Sequence, residues 1–168
     1  MDGARDCGLR NVSHGRAGTR EGDRGSEDTG MAEEGKIRVL ISKIGFDGHV
    51  RGAKMVATAL REAGMEVIYL GPFQTPEKIV RTAMQEDVDV VGLSCHCGEH
   101  LTYVPEVVRL LREGQVDVPV VVGGILPKED IPRVKAAGVA EVFVGTLAAP
   151  AVEFIREICE KRGFVMPQ

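Results

Sequence analysis

The chain has 168 residues, of which 43% are hydrophobic and 27% are charged, and its net charge is -4 at pH 7. This length predicts one folded domain, with or without a tail, and the composition is that of a globular protein. The acidic balance gives no basic surface for nucleic acid, and no apolar run approaches the roughly 20 residues of a membrane-spanning helix.

The first 35 residues differ in composition from the rest of the chain. They are rich in glycine, arginine and acidic residues and hold few large apolar side chains. Such a segment cannot bury enough surface to offset the entropy of ordering. We therefore predict a disordered extension over 1–35 and a folded domain over 36–168. Met31 stands just before the first predicted strand, and we take it as a candidate natural start.

Five short runs rich in valine and isoleucine follow the extension. They lie at Ile37–Ser42, Glu66–Leu70, Val88–Ser94, Val118–Val122 and Glu141–Val144. Each run is too short for a typical helix and has the β-branched composition of a buried parallel strand. The runs therefore predict five strands.

Segments with helical periodicity separate these runs, at 53–64, 75–87, 104–115, 127–138 and 149–162. In the second segment, Thr75 and Pro76 are typical of an N-cap and of a first helical position. The first segment has an apolar stripe that we expect to face the sheet, formed by Met55, Val56, Ala59, Leu60 and Ala63.

Strands that alternate with helices predict an α/β fold with a doubly wound parallel sheet. We expect the flavodoxin-like (Rossmann-like) strand order 2-1-3-4-5. Ligands of such sheets bind outside the carboxyl ends of the strands, where the winding reverses. The loops expected at that edge are Lys43–Arg51, Cys95–Thr102, Gly123–Pro127 and Gly145–Pro150, and they hold the unusual residues of the chain.

The first of these loops contains the sequence Gly-Phe-Asp-Gly-His-Val-Arg-Gly over 45–52. A neutral imidazole is a good metal ligand, and its second ring nitrogen usually donates to a carboxylate. Asp47, two residues before His49 on a glycine-rich loop, could be that carboxylate. A surface loop with an Asx turn and an incidental histidine is the alternative. One histidine holds a free metal ion poorly, so the metal would have to arrive inside a chelate.

Asp47–Gly52 also fits the D-x-H-x-x-G signature of cobalamin-binding domains. The stretch from Ile37 to about Ile158 resembles the cobalamin-binding small subunit or C-terminal domain of methylmalonyl-CoA mutase and related acyl-CoA mutases. Three stretches carry this resemblance: "FDGHVRGAKMVATALREAGMEVIYLG", "QTPEKIVRTAMQEDVDVVGLS" and "PVVVGGILPKEDIPRVKAAGVAEVF".

The resemblance implies a role for each matching residue. His49 would displace the dimethylbenzimidazole tail and become the lower axial ligand of cobalt, Asp47 would hydrogen-bond its other ring nitrogen, and Lys43 would contact Asp47. The freed tail would enter a slot between the sheet and the first helix. The cofactor-binding residues implied in this way are Lys43, Gly45, Phe46, Asp47, Gly48, His49, Val50, Arg51, Gly52, Ser94, His96, Gly123, Gly124, Gly145 and Thr146.

The sequence departs from the family after Ser94. The family usually continues with a small or apolar residue and then leucine, whereas this chain continues with Cys95-His96-Cys97-Gly98-Glu99-His100. Cysteine and histidine are the ligands of zinc, so a zinc site is one interpretation. Residues this close in sequence reach four tetrahedral corners with difficulty. We instead expect this segment to shape the corrin edge or a subunit interface, with the histidine that ends it at the family's usual position.

The resemblance further implies that the chain is the small subunit of an adenosylcobalamin-dependent acyl-CoA mutase, an isomerase subunit that is inactive alone. It would have no catalytic residue beyond the cofactor ligand. Its partner would be a large acyl-CoA-binding subunit, in a heterodimer or heterotetramer, with no nucleic acid or membrane involved. Four scattered cysteines favour the reducing cytoplasm. A corrinoid methyl carrier, a non-catalytic cobalamin-binding module and a receiver-like domain without corrin remain alternatives.

Overall fold

The computed structural model describes residues 35–145 and 148–163. Within these residues, five strands alternate with five helices, as the sequence pattern predicts. The strands are β1 (Arg38–Ile44), β2 (Glu66–Gln74), β3 (Val90–Cys95), β4 (Val120–Gly124) and β5 (Glu141–Val144). The helices are α1 (Val50–Glu62), α2 (Pro76–Gln85), α3 (His100–Glu113), α4 (Ile131–Ala136) and α5 (Ala149–Lys161), with one 3₁₀ turn at Lys128–Asp130. The predicted extension, except for its last residue, and Thr146 lie outside the described residues.

The strands form one sheet in the order β2-β1-β3-β4-β5. All four neighbouring pairs are parallel. This order confirms the predicted flavodoxin-like fold. The winding reverses between β1 and β3, so the loops after these two strands lie side by side at one edge of the sheet.

Alternate residues of each strand face opposite sides of the sheet. In β1, Leu40 and Ile44 pack with α2, α3 and α4 on one side, which we call the packed face. Val39 and Ile41 pack with α1 and α5 on the other side, which we call the cleft face. Lys43 continues the Val39–Ile41 alternation and therefore lies on the cleft face at the carboxyl end of β1.

Strand β2 is longer than the sequence predicts, ending at Gln74 rather than Leu70. Its second half contains Gly71 and Phe73, both with positive φ, and pairs irregularly with β1. Pro72 lies between them and is tolerated because β2 is an edge strand, where one side needs no ladder hydrogen bonds. The run of strand-forming residues in the sequence ends at this irregularity, which explains why the predicted strand is shorter than the observed one.

Helix α3 begins one turn earlier than predicted, at His100 rather than Val104. Pro105 is typical of a helix start, yet it lies inside the helix. The reason is that the Glu99 carbonyl accepts the backbone N–H groups of Thr102 and Tyr103, which closes a helical turn before the proline.

The predicted stripe on α1 is partly wrong. The residues that pack against the sheet are Ala53, Ala57 and Leu60, whereas Met55 is 48% exposed. Ala53 and Ala57 lie on the same side of the helix as Leu60. The helix turns these alanines toward the sheet because their small side chains allow close approach. Thr75 does cap α2 as predicted, its hydroxyl accepting the Lys78 N–H.

Within the described ranges 35–145 and 148–163, none of the helices has the length and apolar character that crossing a membrane requires.

Candidate functional site

A cleft of about 530 Å³ opens between the cleft face of the sheet and helices α1 and α5. It lies at the carboxyl edge, as the strand order predicts. Ten of the predicted site residues line it: Lys43, His49, Val50, Arg51, Gly52, Ser94, His96, Gly123, Gly124 and Gly145. The sequence signals from four separate loops therefore converge on one cavity.

The side chains of Lys43, Asp47 and His49 form a chain of contacts at this cleft. Nδ1 of His49 lies 2.9 Å from Oδ1 of Asp47, which also accepts the His49 backbone N–H at 2.9 Å. The other carboxylate oxygen, Oδ2, contacts the Lys43 ammonium. Lys43 and Asp47 are buried, while the His49 side chain is 62% exposed. Asp47 thus fixes the imidazole through Nδ1 and leaves Nε2 without a described partner.

Asp47 carries a negative charge in this setting. Burial by itself raises the pKa of its carboxyl, but the hydrogen bonds from Lys43 and His49 outweigh burial and lower the pKa below the usual 3.8. An ionised carboxylate accepts hydrogen bonds only, so it favours the tautomer of His49 that is protonated on Nδ1. The free nitrogen then has a lone pair available for a metal.

Ser94 joins this network from the neighbouring strand. The Lys43 ammonium donates to the Ser94 hydroxyl oxygen at 3.1 Å, and the two residues are paired in the β1–β3 register. Because the hydroxyl accepts from Lys43, its own hydrogen stays available for a group in the cleft. The sequence placed both residues in the site but did not indicate their contact.

Gly123 and Gly124 are adjacent, yet they are glycines for different reasons. Gly124 has φ +134°, and a Cβ added there would lie 1.8 Å from the carbonyl oxygen of Cys95 in β3. Gly124 is therefore required by the fold. A Cβ on Gly123 would meet only the Phe143 carbonyl oxygen, at 3.8 Å, so the missing side chain instead leaves space in the cleft.

Four of the predicted site residues do not line the cleft: Gly45, Phe46, Asp47 and Gly48. Asp47 is buried beneath the loop and acts through its contacts. Phe46 is 87% exposed and lies in a second groove with Phe73 and Tyr103. Gly45 has φ +69°, and a Cβ there would be 2.8 Å from Tyr103. These glycines shape the turn that carries His49.

The Cys95–His100 segment does not assemble into a site of its own. Cys95 is fully buried in β3, and burial raises the pKa of its thiol to about 12. His100 is buried at the start of α3, where Nε2 lies 2.9 Å from Oδ2 of Asp130. The zinc interpretation based on neighbours within this segment is therefore not supported by the geometry.

Two residues of the segment instead contact the His49 loop. The His96 ring lies over the His49 ring, with centroids 4.1 Å apart and planes inclined by 34°. Sγ of Cys97 is 3.7 Å from Nδ1 of His49 and 3.9 Å from Oδ1 of Asp47. Desolvation and the nearby Asp47 and Glu99 charges raise the pKa of the Cys97 thiol, which keeps it protonated near neutral pH.

The position of Cys97 beside His49 was not predicted, since the two residues are 48 positions apart in the sequence. Much of the apolar lining of the cleft was not predicted either. This lining includes Met55, Ile125, Phe143, Ala151 and Ile155. The strand order could have indicated that Cys97 lies near His49, because it places the loops after β1 and β3 side by side.

Two known proteins are similar to this chain over most of its length. The 2-hydroxyisobutanoyl-CoA mutase small subunit of Aquincola tertiaricarbonis is 48% identical over 129 residues, covering 76% of this chain and 95% of that protein. The pivalyl-CoA mutase small subunit of Xanthobacter autotrophicus is 46% identical over 127 residues, covering 74% of this chain and 85% of that protein.

The fold has solved counterparts. A cobalamin-binding protein from Desulfitobacterium hafniense superposes with a TM-score of 0.65 at 23% identity, covering 73% of this chain and 58% of that one. At this identity the likeness concerns the fold. Residues 37–155 match the B12 binding domain family, which spans β1 to α5 and includes every loop of the cleft. The chain therefore belongs to the B12-binding domain family.

Proposed function

We propose that this chain is the cobalamin-binding small subunit of an adenosylcobalamin-dependent acyl-CoA mutase, with His49 as the lower axial ligand of cobalt. The observation that carries the proposal is the Lys43–Asp47–His49 chain at the mouth of the cleft. The two relatives named above support the class of enzyme, because both are small subunits of acyl-CoA mutases and this chain covers most of their length.

The residues present fit a corrinoid. The imidazole of His49 is exposed, with one nitrogen held by a carboxylate and the other free, as a metal ligand requires. Beside it, the cleft has open floor at Gly52 and Gly145, where an added Cβ would meet no atom within 4 Å. When bound, adenosylcobalamin supplies a cobalt–carbon bond whose homolysis starts a radical rearrangement of the carbon skeleton.

In this proposal the protein holds the His49 side chain in the orientation that is needed to ligate cobalt. Asp47 fixes the tautomer and ring plane of His49, and Lys43 balances the buried charge of Asp47. Such outer partners typically contribute about 10–100-fold to metal affinity or activity. His96 packs on the His49 ring and restricts its rotation further.

The cleft would receive the displaced nucleotide tail. The Ser94 hydroxyl is available to donate into this space, and Gly123 leaves the floor of the cleft open. Arg51, Gly52 and Gly145 also line the cleft and belong to the same proposed binding surface. Thr146, predicted for this surface from the resemblance, falls in the undescribed part of the chain.

A separate large subunit would hold the acyl-CoA, in a heterodimer or heterotetramer, and would cover the exposed face of the cofactor. The substrate class we propose is a branched acyl-CoA, as the names of the two relatives suggest. Cys95, Cys97 and Cys159 are free thiols, which supports a reducing cytoplasmic location for the assembly.

Reconstitution tests this function. The purified chain is mixed with the large mutase subunit of the same organism, adenosylcobalamin, and either 2-hydroxyisobutanoyl-CoA or pivalyl-CoA. We expect isomerisation only when both chains and the cofactor are present. Activity should be lost with His49→Ala and kept with the matched control Arg109→Ala, whose exposed side chain pairs with Glu106 and Glu113 on α3. Full activity of His49→Ala would refute the proposed role of His49.

A further inference from the structure

The loops after β1 and β3 bring together three side chains with metal-ligating atoms. Oδ1 of Asp47, Nδ1 of His49 and Sγ of Cys97 all lie within 4.8 Å of one another. They come from two loops, so the cluster results from the fold rather than from spacing in the sequence. It combines an oxygen, a nitrogen and a sulfur ligand, a set that suits a borderline-soft cation such as zinc.

The distances in this cluster are close to those around a zinc ion. With the usual zinc–ligand bond lengths, tetrahedral geometry separates neighbouring ligand atoms by about 3.3–3.6 Å. The observed separations are 2.9 Å for Asp47–His49, 3.7 Å for His49–Cys97 and 3.9 Å for Asp47–Cys97. Each differs from the tetrahedral value by about 0.4 Å or less. Small side-chain adjustments would therefore be sufficient.

Access to the cluster is also favourable, and the carboxylate faces the other two ligands. The Lys43 ammonium contacts Oδ2 of Asp47, which leaves Oδ1 as the oxygen turned toward His49 and Cys97. Because Lys43 offsets the charge of Asp47, the Cys97 thiolate would neutralise one of the two charges of the dication. The side chains of His49 and Cys97 are exposed, so a cation can enter from solvent. A water molecule would take the fourth position, as in other open zinc sites.

We propose that, in the cobalamin-free chain, Asp47, His49 and Cys97 bind a divalent cation such as Zn²⁺, and that this cation competes with cobalamin for His49. On binding, the Cys97 thiol proton passes to solvent. The proton on Nδ1 of His49 is replaced by the metal, and Nε2 takes up a proton. The nitrogen that would ligate cobalt is then protonated, which is the physical basis of the competition. The competition rests on the proposed function, whereas the metal site does not.

The test uses the full chain, freed of metal with a chelator, and isothermal titration with Zn²⁺. We expect one tight site in the wild type, and Cys97→Ala should weaken it at least tenfold, since even loss of an outer partner costs about 10–100-fold. Cys7→Ala is the matched control, because it removes a cysteine that lies outside the described residues. It should bind Zn²⁺ like the wild type.

Equal Zn²⁺ affinity in the wild type and Cys97→Ala, or no tight binding in the wild type, would overturn the site. Simple Co²⁺ salts provide a second readout, because a thiolate bound to tetrahedral Co²⁺ gives an intense near-ultraviolet band that Cys97→Ala should lack. Circular dichroism establishes that each variant is folded before titration.

A cobalamin titration with and without Zn²⁺ tests the competition. Zn²⁺ should weaken cobalamin binding in the wild type and have little effect in Cys97→Ala. Unchanged cobalamin affinity of the Zn²⁺-loaded wild type would overturn the competition. A chain that ligates cobalamin through His49 but binds no Zn²⁺ refutes this inference alone, and a chain that binds Zn²⁺ but no cobalamin refutes the proposed function alone.

Discussion

The two faces of the sheet are built differently. On the packed face, large side chains such as Ile79 and Leu111 interlock with the strands and are almost fully buried. The cleft face also has buried side chains such as Leu60 and Ile155, but small residues such as Ala53, Ala151 and Gly123 line part of it, and the cleft opens there. The cleft face of this small domain therefore contributes to stability and also leaves room for a ligand.

The largest effect that we expect concerns the adjacent glycines at the end of β4. Gly124→Ala should prevent folding or remove most of the stability, because the new Cβ would overlap the Cys95 carbonyl at 1.8 Å and φ is +134°. Gly123→Ala is the matched control and should fold normally, since its Cβ would meet only one atom, at 3.8 Å. Thermal unfolding of both variants checks this difference, and equal stability would contradict our assignment of Gly124.

The next largest effect on stability concerns the buried ion pair between Lys43 and Asp47 on the cleft face. Lys43→Met leaves the Asp47 carboxylate buried without its cation, which should lower the free energy of unfolding by about 3–5 kcal/mol. The double variant Lys43→Met/Asp47→Asn removes both charges and should recover much of this loss. Urea denaturation at pH 7 measures both. A double variant as unstable as the single one would show that the pair is not a unit.

A substitution on each face should separate stability from binding. Ile79→Ala on the packed face should cost about 2–5 kcal/mol of unfolding free energy and leave cobalamin affinity unchanged. Gly123→Val on the cleft face should leave the fold intact and weaken cobalamin binding by about 1–3 kcal/mol through overpacking, or roughly 5- to 150-fold. Urea denaturation and cobalamin titration check the pair. The opposite outcome would reverse our assignment of the faces.

The smallest effect is a pH dependence of stability. Because the pKa of Asp47 is lowered in the folded chain, its ionisation stabilises the fold above its unfolded pKa, near 3.8. This contribution is lost as pH falls through the lower folded value. The stability difference between the wild type and Asp47→Asn should therefore be constant near neutrality and shrink below about pH 4. A difference that grows on acidification would contradict the sign of the shift.

Much of the fold could be predicted from sequence: five short runs rich in valine and isoleucine and the helical segments between them indicate the element types, and the crossover rules favour the strand order that the structure confirms. The Asp47–His49 pairing was also predictable, because the two residues are neighbours in sequence. Contacts between different loops could not be predicted from the sequence. Cys97 lies 48 residues from His49, and the outward position of Phe46 depends on the turn at Gly45. Met55 was misplaced because α1 has apolar residues on both sides of the line of alanines that contacts the sheet.

The role proposed for His49 is to ligate cobalt in place of the base tail, and one measurement tests this role directly. The measurement is an electron paramagnetic resonance spectrum of the chain with reduced Co(II) cobalamin made with nitrogen-15 dimethylbenzimidazole. We predict an axial splitting of the nitrogen-14 type, which is lost in His49→Ala. A nitrogen-15 splitting in the wild type would show that the tail still ligates cobalt, and would contradict the role of Asp47 and His49 described here.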